Sequence, residues 1–308
     1  MPPPSVTAAA FVRHDAHDPR PSATVAAQSR GLTIIDRLVN ILQLEPACSH
    51  APHGYATWPL SPATQSRRLA ERPPVRLRLQ SYIHGAPRDD SGPIIELVSP
   101  VDLEVFAEMR DASPQLVESA VSAARAAYVA HRLDTVAQRA TWLADAAAVV
   151  EANASSLAEL IIRDIGKPRR LADVEVRRAA QFLRACAVEI TTLRGEVLPL
   201  DAVAAGAGHL GYTRRIPYGV VAAITPFNAP INLLVQKVAP ALVAGNAVVV
   251  KPHPAGTRVA LAVAELFSRA GLPSGLFNVI TGDRAPALAL AAHAGVDAVT
   301  FTGGCAGG

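Results

Sequence analysis

The chain has 308 residues, half of them hydrophobic and only 18% charged, so it is long enough to bury one large core or two modest ones. Its net charge of +3 is small and its arginines are scattered, which argues against a nucleic acid or an acidic membrane surface as its partner. No uninterrupted apolar run approaches the roughly 18 residues of a membrane span. Three cysteines, Cys48, Cys186 and Cys305, are too few and too odd in number for a disulfide framework and favour a reducing cytoplasm.

Residues 1–75 differ in composition from the rest of the chain. They contain eleven prolines, no lysine, several arginines and clusters of Ala, Ser and Thr, which predicts a largely disordered N-terminal extension. One amphipathic helix is predicted within it, over residues 31–45. Cys48, His50 and His53 lie close together, but their spacing fits no established zinc pattern, so we expect no metal site.

From residue 77 the pattern becomes that of a folded domain. Residues 77–83 and 94–98 are typical of strands. Ser113 followed by Pro114 predicts the start of a helix that continues to residue 130. Further helices are predicted over residues 136–153, 155–164 and 171–193. They are followed by two extended pieces within residues 197–217, with Gly206 and Gly208 between them.

The remaining sequence alternates between buried strands and amphipathic helices. Asn232 is the predicted cap of the first of these helices, and Gly245 is its predicted stop. This order predicts right-handed crossovers and an α/β, Rossmann-like parallel sheet with helices on both faces. The predicted strands cover residues 220–225, 247–250, 277–280 and 296–301, and the predicted helices cover residues 232–245, 257–270 and 285–293.

Ligands of such sheets bind beyond the carboxyl ends of the strands, where several candidate residues fall. Asn228 follows a strand in a proline-bracketed turn, so its amide could donate to a developing oxyanion, although a loop asparagine more often caps its own turn. Lys251 could meet a ribose or a phosphate, or it could extend into solvent. The glycine-rich residues 302–308 could approach a pyrophosphate, or they could be a tail. Lysine is scarce, with three lysines against twenty-six arginines, which weakly marks the lysines as places that need a compact ammonium.

Five motifs occur in order along the chain: Thr-Pro-Phe-Asn228-Ala-Pro, the stretch from Lys237 to Asn246, Val-Val-Val-Lys251-Pro, the stretch from Ala270 to Gly282, and Phe301-Thr-Gly-Gly. With these motifs the chain resembles the aldehyde dehydrogenase family from about residue 77 to residue 308. Residues 163–168 and 193–196 are also similar to family segments.

The resemblance implies a role for each candidate residue. Asn228 would be the oxyanion-hole amide, and Lys237 would belong to a proton relay near the family's catalytic glutamate. Lys251 would hold the adenosine ribose, and Gly282 would let a helix approach the adenosine. The implied cofactor-binding residues are Ile224, Thr225, Pro226 and Phe227 on the nicotinamide side, Lys251, His253, Pro254 and Gly282 near the adenosine, and Phe301, Thr302, Gly303 and Gly304 near the pyrophosphate.

The resemblance also implies an activity, which is the oxidation of an aldehyde to a carboxylic acid with NAD or NADP. A cysteine thiolate attacks the carbonyl carbon, a hydride passes to the cofactor, and a glutamate-activated water releases the acid. Residues 197–217 resemble the family's protruding hairpin, which implies a homo-oligomer. The implied domains are the extension over residues 1–75 and an NAD(P)-binding domain over residues 76–308.

The sequence departs from the family pattern in three ways. Pro254 stands where many NAD-using members have a glutamate, so we expect indifference between the cofactors or a mild preference for NADP+, with His253 or Arg258 near the extra phosphate. Gly304 stands where many members have a serine. The chain also stops before the family's catalytic glutamate and cysteine, and Cys305 lies in the phosphate turn. We therefore expect an inactive fragment, and the alternative is a non-catalytic dinucleotide-binding or assembly subunit.

Overall fold

The computed structural model describes residues 77–304. The N-terminal extension, its predicted helix over residues 31–45, the expectation of no metal site at Cys48, His50 and His53, and Cys305 all lie outside the described residues. Within residues 77–304, no helix is long and apolar enough to cross a membrane.

Strands and helices alternate through most of the described chain. The strands are β1 Leu77–Leu79, β2 Ser81–Ile83, β3 Ala86–Arg88, β4 Ile94–Val98, β5 Val105–Arg110, β6 Val197–Leu198, β7 Gly211–Tyr212, β8 Val220–Thr225, β9 Ala247–Pro252, β10 Phe277–Val279 and β11 Ala298–Phe301. The α-helices are α1 Pro114–His131, α2 Val136–Ala152, α3 Ala154–Ile165, α4 Arg169–Glu189, α5 Pro230–Val243, α6 Thr257–Arg269 and α7 Arg284–Ala291.

The core is a six-stranded sheet in the order β11-β8-β9-β10-β2-β3. Strands β11, β8, β9 and β10 are parallel, and β2 and β3 add an antiparallel edge. β8 and β9 are almost wholly buried because they carry apolar, mostly small or β-branched residues that pack on both faces. The predicted α/β parallel sheet is confirmed.

Helices cover both faces of this sheet. α5 and α6 pack on one face, and α1 and α7 pack together on the other. A second helical layer, made of α2, α3 and α4, lies against α5 and α6. Cys186 belongs to α4 and is fully buried in this layer. The site described below therefore rests on a sheet with a closely packed interior.

The order of the strands reverses beside β8. The chain runs from β8 to β9 to β10 in one direction across the sheet, and then returns to place β11 on the opposite side of β8. At such a reversal the connections leave in opposite directions, which opens a crevice at the carboxyl ends of the two strands. The strand order therefore predicts a ligand crevice where β8 and β11 end.

Several predicted element boundaries were wrong. Residues 77–83 do not form one strand: Gln80 separates β1 from β2, and the two strands join different sheets. Strands β3 and β5 were not predicted. Asn232 does not cap α5, because the helix begins at Pro230, whose fixed φ suits the first helical turn. The stop at Gly245 is confirmed, since Gly245 has a φ of +94° just after the helix.

The segment after α4 contains the predicted pair of extended pieces. β6 and β7 pair antiparallel at only two positions, and 3-10 turns join them. The β6–β7 segment exposes large apolar side chains, namely Val197, Leu198, Leu200, Val203, Leu210 and Tyr212.

A separate three-stranded sheet has the order β1-β5-β4.

Candidate functional site at the carboxyl edge of the sheet

The ends of the central strands are held in register by backbone pairing. Ile224 of β8 lies opposite both Lys251 of β9 and Phe301 of β11. The Thr302 N–H donates to the Ile224 carbonyl at 3.1 Å, and the His253 N–H donates to the Thr225 carbonyl at 2.8 Å. The predicted site residues from three separate segments therefore meet at one edge of the sheet.

The turn after β8 presents an available amide. Asn228 is exposed, and its side-chain amide has no hydrogen-bond partner among residues 77–304. A carboxamide that capped its own turn would bond to a nearby backbone group, and no such bond is present. Phe227 beside it is 44% exposed, and Pro226 is half-buried. The turn thus leaves the side-chain N–H donors of Asn228 exposed and without a partner among residues 77–304.

The backbone of this turn is held by two residues that were not among the predicted site residues. The Lys167 ammonium donates to the Asn228 carbonyl at 2.8 Å and pairs with Glu175. The other carboxylate oxygen of Glu175 accepts from the Ile231 N–H at 2.9 Å. Lys167 could have been identified from the sequence, because it is one of only three lysines and the other two lie at the same edge of the sheet. Glu175 carries no such signal, because it lies in a helix rich in charged residues.

Lys237 reaches the end of β11 from inside α5. Its ammonium donates to the Thr302 hydroxyl at 2.5 Å, and the residue is only 6% exposed. Burial disfavours the charged form and lowers the pKa of Lys237 to about 8. An amine in this condition exchanges a proton near neutral pH more readily than an ordinary lysine.

Lys251 is a second buried lysine at the same edge. It is 4% exposed, and its one hydrogen-bond partner among residues 77–304 is the Pro252 carbonyl, at 3.0 Å. Burial lowers the pKa of Lys251 to about 8, and the nearby carboxylates of Asp283 and Asp111 oppose that shift. The ammonium keeps N–H donors for a ligand with hydroxyl or phosphate oxygens.

His253 and Pro254 follow Lys251 at the strand end. The His253 ring lies 4.6 Å from the Phe227 ring between centroids, and its Nδ1 accepts from the Ala255 N–H at 3.2 Å. Burial, and then the charge of Lys251, lower the pKa of His253. Pro254 begins a 3-10 turn and supplies neither a charge nor a side-chain acceptor.

Arg258 does not face this edge as an available cation, so the suggestion that it meets a ligand phosphate was wrong. Its guanidinium is bonded to both carboxylate oxygens of Asp164 and lies 4.9 Å above the Phe106 ring. Burial raises the pKa of Asp164 even though Arg258 opposes the shift. This two-bond ion pair holds α6 to α3, so the guanidinium is not available to a ligand.

The glycines of the site occupy tight or open positions. Gly282 has a φ of +126°, and a Cβ there would collide with the Asp111 carboxylate and with Pro286. A Cβ at Gly303 would collide with the Phe301 ring, whereas one at Gly304 would meet nothing within 4 Å. The backbone after β11 is therefore bare and accessible at Gly304.

The structure brings most of the predicted site residues to this edge. Gly282 lies near Lys251, because the carboxylate of Asp283, next to Gly282, acts on the Lys251 ammonium. Within residues 77–304, no cluster of His, Cys, Asp or Glu could hold a metal ion. The members of this edge are Ile224, Thr225, Pro226, Phe227, Asn228, Lys237, Lys251, His253, Pro254, Phe301, Thr302, Gly303 and Gly304.

Comparison with known proteins identifies relatives of this arrangement. The profile of the aldehyde dehydrogenase family matches residues 87–308. A betaine aldehyde dehydrogenase of Vibrio vulnificus (strain CMCP6) is 36% identical over 224 residues, which is 72% of this chain and 45% of that protein. The chain therefore spans about half the length of the curated relatives that it matches.

Solved structures show the same fold. A structure of an NADP-dependent glyceraldehyde-3-phosphate dehydrogenase from Bacillus halodurans C-125, complexed with NADP, superposes with a TM-score of 0.71 at 32% identity. The superposition covers 74% of this chain and 49% of the chain of that dehydrogenase. An NAD-dependent aldehyde dehydrogenase from Sinorhizobium meliloti gives a TM-score of 0.67 at 32% identity, and covers 73% of this chain and 45% of that one.

The buried charge of Lys237 predicts a pH-dependent contribution to stability. Below about pH 8 its ammonium is charged in the folded and the unfolded chain. Between pH 8 and its ordinary pKa of 10.5, the unfolded chain binds more protons, so its contribution to stability rises with pH. The free energy of unfolding of the parent, relative to that of Lys237→Met, should therefore rise between about pH 8 and pH 10.5. Urea titrations at several pH values measure this difference. Arg269→Met, at an exposed position on α6, is the control, and a pH-independent difference for Lys237→Met would contradict the expectation.

Proposed function

Because the chain belongs to the aldehyde dehydrogenase family, we propose that the protein carrying it oxidises an aldehyde to a carboxylic acid with NAD+ or NADP+. The observation that carries the proposal is the unpartnered amide of Asn228, exposed beside the crevice where the strand order reverses. An amide held on a stiff turn at a ligand crevice is suited to an oxygen that gains negative charge. Residues 77–304 would supply the cofactor cleft and this donor.

The edge of the sheet fits a dinucleotide. Lys251 is buried with donors to spare, and Gly304 leaves its backbone open where the glycine turn follows β11. Ribose hydroxyls would bond to the Lys251 ammonium, and the pyrophosphate would approach the backbone at Gly303 and Gly304. The segment from Ile224 to Phe227 would border the nicotinamide. The bound cofactor supplies the hydride acceptor of the reaction.

Asn228 would act on the carbonyl oxygen of the aldehyde. When a nucleophile adds to the carbonyl carbon, negative charge moves to that oxygen, and a fixed amide N–H stabilises it more than it stabilises the starting carbonyl. The turn supports this role because Pro226 and Pro230 restrict its backbone on both sides and α5 begins directly after it.

Lys237 and Thr302 would handle protons at the end of β11. The lowered pKa of Lys237, about 8, allows its amine to give up and regain a proton near neutral pH. The Thr302 hydroxyl both accepts from the amine and can donate onward, so the pair provides a short proton path. This path would serve the step in which a water is activated to release the acid.

The nucleophile of the family reaction is not supplied by residues 77–304. Cys186 is the one cysteine in this part of the chain, it is fully buried in α4, and burial raises its pKa to about 12. The thiolate, and not the thiol, is the reactive form, so Cys186 is suited only to the packed interior. The described residues would therefore serve the cofactor and oxyanion parts of the chemistry. A dinucleotide-binding role without chemistry remains the second candidate, and this placement of Cys186 favours it for residues 77–304 taken alone.

The domain assignment is also part of the proposal. Residues 76–308 would form the NAD(P)-binding domain, preceded by the extension over residues 1–75. A reducing cytoplasmic location is supported by the small number of cysteines and by the free thiol of Cys186.

We also propose that the protein is a homo-oligomer through the β6–β7 segment. Two pairs of strand residues give a hairpin little stability by itself, and its large apolar side chains stand in solvent. Exposed apolar patches of this kind mark protein interfaces, and an identical copy would cover the same side chains on both partners.

Replacing Asn228 by Ala tests the oxyanion role. We expect kcat to fall by roughly a hundred- to a thousand-fold, because the donor is lost in the transition state, with little change in cofactor affinity. The readouts are steady-state kinetics and cofactor binding in the protein that carries this chain. Gln181→Ala, which removes an exposed side-chain amide on α4, is the control. A fall of less than about threefold for Asn228→Ala would refute the role.

Pro254→Glu tests the choice of cofactor. Without a side-chain acceptor at position 254, and with Arg258 bound to Asp164, we expect kcat/KM for NAD+ and NADP+ to agree within roughly tenfold, or to favour NADP+ mildly. Pro254→Glu should shift the ratio toward NAD+ by about five- to tenfold or more, because an added carboxylate accepts from the ribose and repels the extra phosphate.

Pro254→Gln separates the two effects in the same position. It adds an acceptor without a charge, so it should improve NAD+ use while excluding NADP+ less than Pro254→Glu does. A preference for NAD+ of about a hundredfold in the unmodified protein, unchanged by Pro254→Glu, would rule out the proposed basis of cofactor choice.

A double substitution, Val203→Asp with Leu210→Asp, tests the oligomer. Both side chains are largely exposed, at 65% and 78%, so the change should leave the fold intact while charge repulsion separates the copies. Sedimentation velocity should show a smaller species than the parent. Leu133→Asp, at a position that is 84% exposed between α1 and α2, should leave the mass unchanged. A monomeric parent, or an oligomer that survives the double substitution, would contradict the proposed interface.

A further inference from the structure

We propose that Lys167 and Glu175 form a positioning pair that sets the location of the Asn228 amide, an inference that rests on the proposed oxyanion role. Both residues lie outside the strand ends: Lys167 precedes α4, and Glu175 is in its second turn. They contact the turn after β8 through its backbone, so neither would touch the substrate. Their effect on the reaction would pass through Asn228.

Glu175 supplies the cap that α5 lacks. The residue preceding this helix is Ala229, and no side chain within the segment caps the first turn. The first N–H groups of a helix have no partner within it and carry partial positive charge. Glu175 Oε1 accepts from the Ile231 N–H at 2.9 Å and from the Asn232 N–H at 3.3 Å. The start of α5 is thereby fixed to α4.

Lys167 provides the second anchor of this turn, at Asn228. Its ammonium pairs with Glu175 Oε2 and donates to the Asn228 carbonyl at 2.8 Å. The peptide group of Asn228 and the first turn of α5 are therefore bound to one charged pair. The two anchors lie on either side of Ala229, which leaves the Asn228 backbone little freedom to shift.

The burial of this pair makes it sensitive to the loss of either member. The Glu175 side chain is 3% exposed and the Lys167 side chain is 16% exposed. A buried carboxylate is tolerated where its oxygens are bonded, and Glu175 meets this condition with two backbone N–H groups and an ammonium. If Lys167 is lost, the Glu175 carboxylate stays buried with fewer hydrogen-bond partners, and the turn loses one of its two anchors.

The position of the Asn228 side chain depends on this arrangement. Because it has no hydrogen-bond partner within residues 77–304, its position is decided by its own backbone. Catalytic groups must be held within about half an ångström of the productive geometry. A displacement of about 1 Å can reduce a rate by roughly a hundredfold. A pair that fixes only the backbone can therefore affect the reaction strongly.

The test is a double-mutant cycle on kcat between Lys167→Met and Asn228→Ala in the protein that carries this chain. Lys167→Met keeps most of the aliphatic stem but removes the donor to the Asn228 carbonyl. We expect kcat to fall by about ten- to a hundredfold in the parent background, and by less than about twofold further in the Asn228→Ala background. Cofactor Kd, measured by fluorescence titration, should change by less than about threefold, because the pair does not reach the cofactor-binding strand ends.

Two further variants keep the test decisive. If Lys167→Met does not fold, Glu175→Gln replaces it: the amide oxygen can still accept from α5, but the charge that pairs with Lys167 is gone. Arg169→Met is the matched control, because it breaks exposed ion pairs with Glu159 and Asp173 only two residues from Lys167. It should leave kcat unchanged in both backgrounds.

The outcomes separate this proposal from the one on which it rests. A fall in kcat that is equally large with and without Asn228 would overturn the positioning role and indicate a general effect on the fold. A fall for Asn228→Ala with none for Lys167→Met or Glu175→Gln would overturn the positioning role alone. An unchanged kcat in Asn228→Ala would overturn the oxyanion role, and the positioning role with it.

Discussion

The reversal of strand order between β8 and β11 is the constraint on which the rest of the site depends. Because all four parallel strands end at the same edge, residues far apart in sequence, such as Asn228, Lys251 and Thr302, are brought to one edge of the sheet. The backbone bond from Thr302 to Ile224 shows how closely the two strand ends are joined. The loops at this edge begin from buried strands. Because β8 and β9 are packed on both faces, the backbone is restricted where these loops begin.

Three ammonium groups contribute to this site in a chain that otherwise uses arginine. Lys167, Lys237 and Lys251 are the only lysines of the sequence, and their ammonium groups donate to the Asn228 carbonyl, the Thr302 hydroxyl and the Pro252 carbonyl, respectively. Arginine performs a different task in this fold. Arg258 uses its forked guanidinium to bind both oxygens of Asp164 and to tie two helices together. A guanidinium is too large and too permanently charged to act as Lys237 is proposed to act.

The strands and helices were predictable to the extent that they depend on local pattern. The β-branched run of β9 and the cap at Ser113 both act within a few residues, and both predictions were confirmed. The break at Gln80 could not be predicted, because it reflects the recruitment of neighbouring residues into two different sheets. The start of α5 was misplaced for a similar reason: its cap comes from Glu175, more than fifty residues earlier in the chain.

The sequence by itself determined the class of fold, and it named most of the residues of the candidate site. Periodicity and β-branching are local properties, and the scarcity of lysine together with the family motifs singled out Asn228, Lys237 and Lys251. Only the tertiary structure decided which groups act on one another. It committed Arg258 to Asp164 and joined Lys167 to the turn of Asn228. These contacts link positions 61 and 94 residues apart, and side-chain hydrogen bonds over such separations follow from how helices pack, which no local pattern encodes.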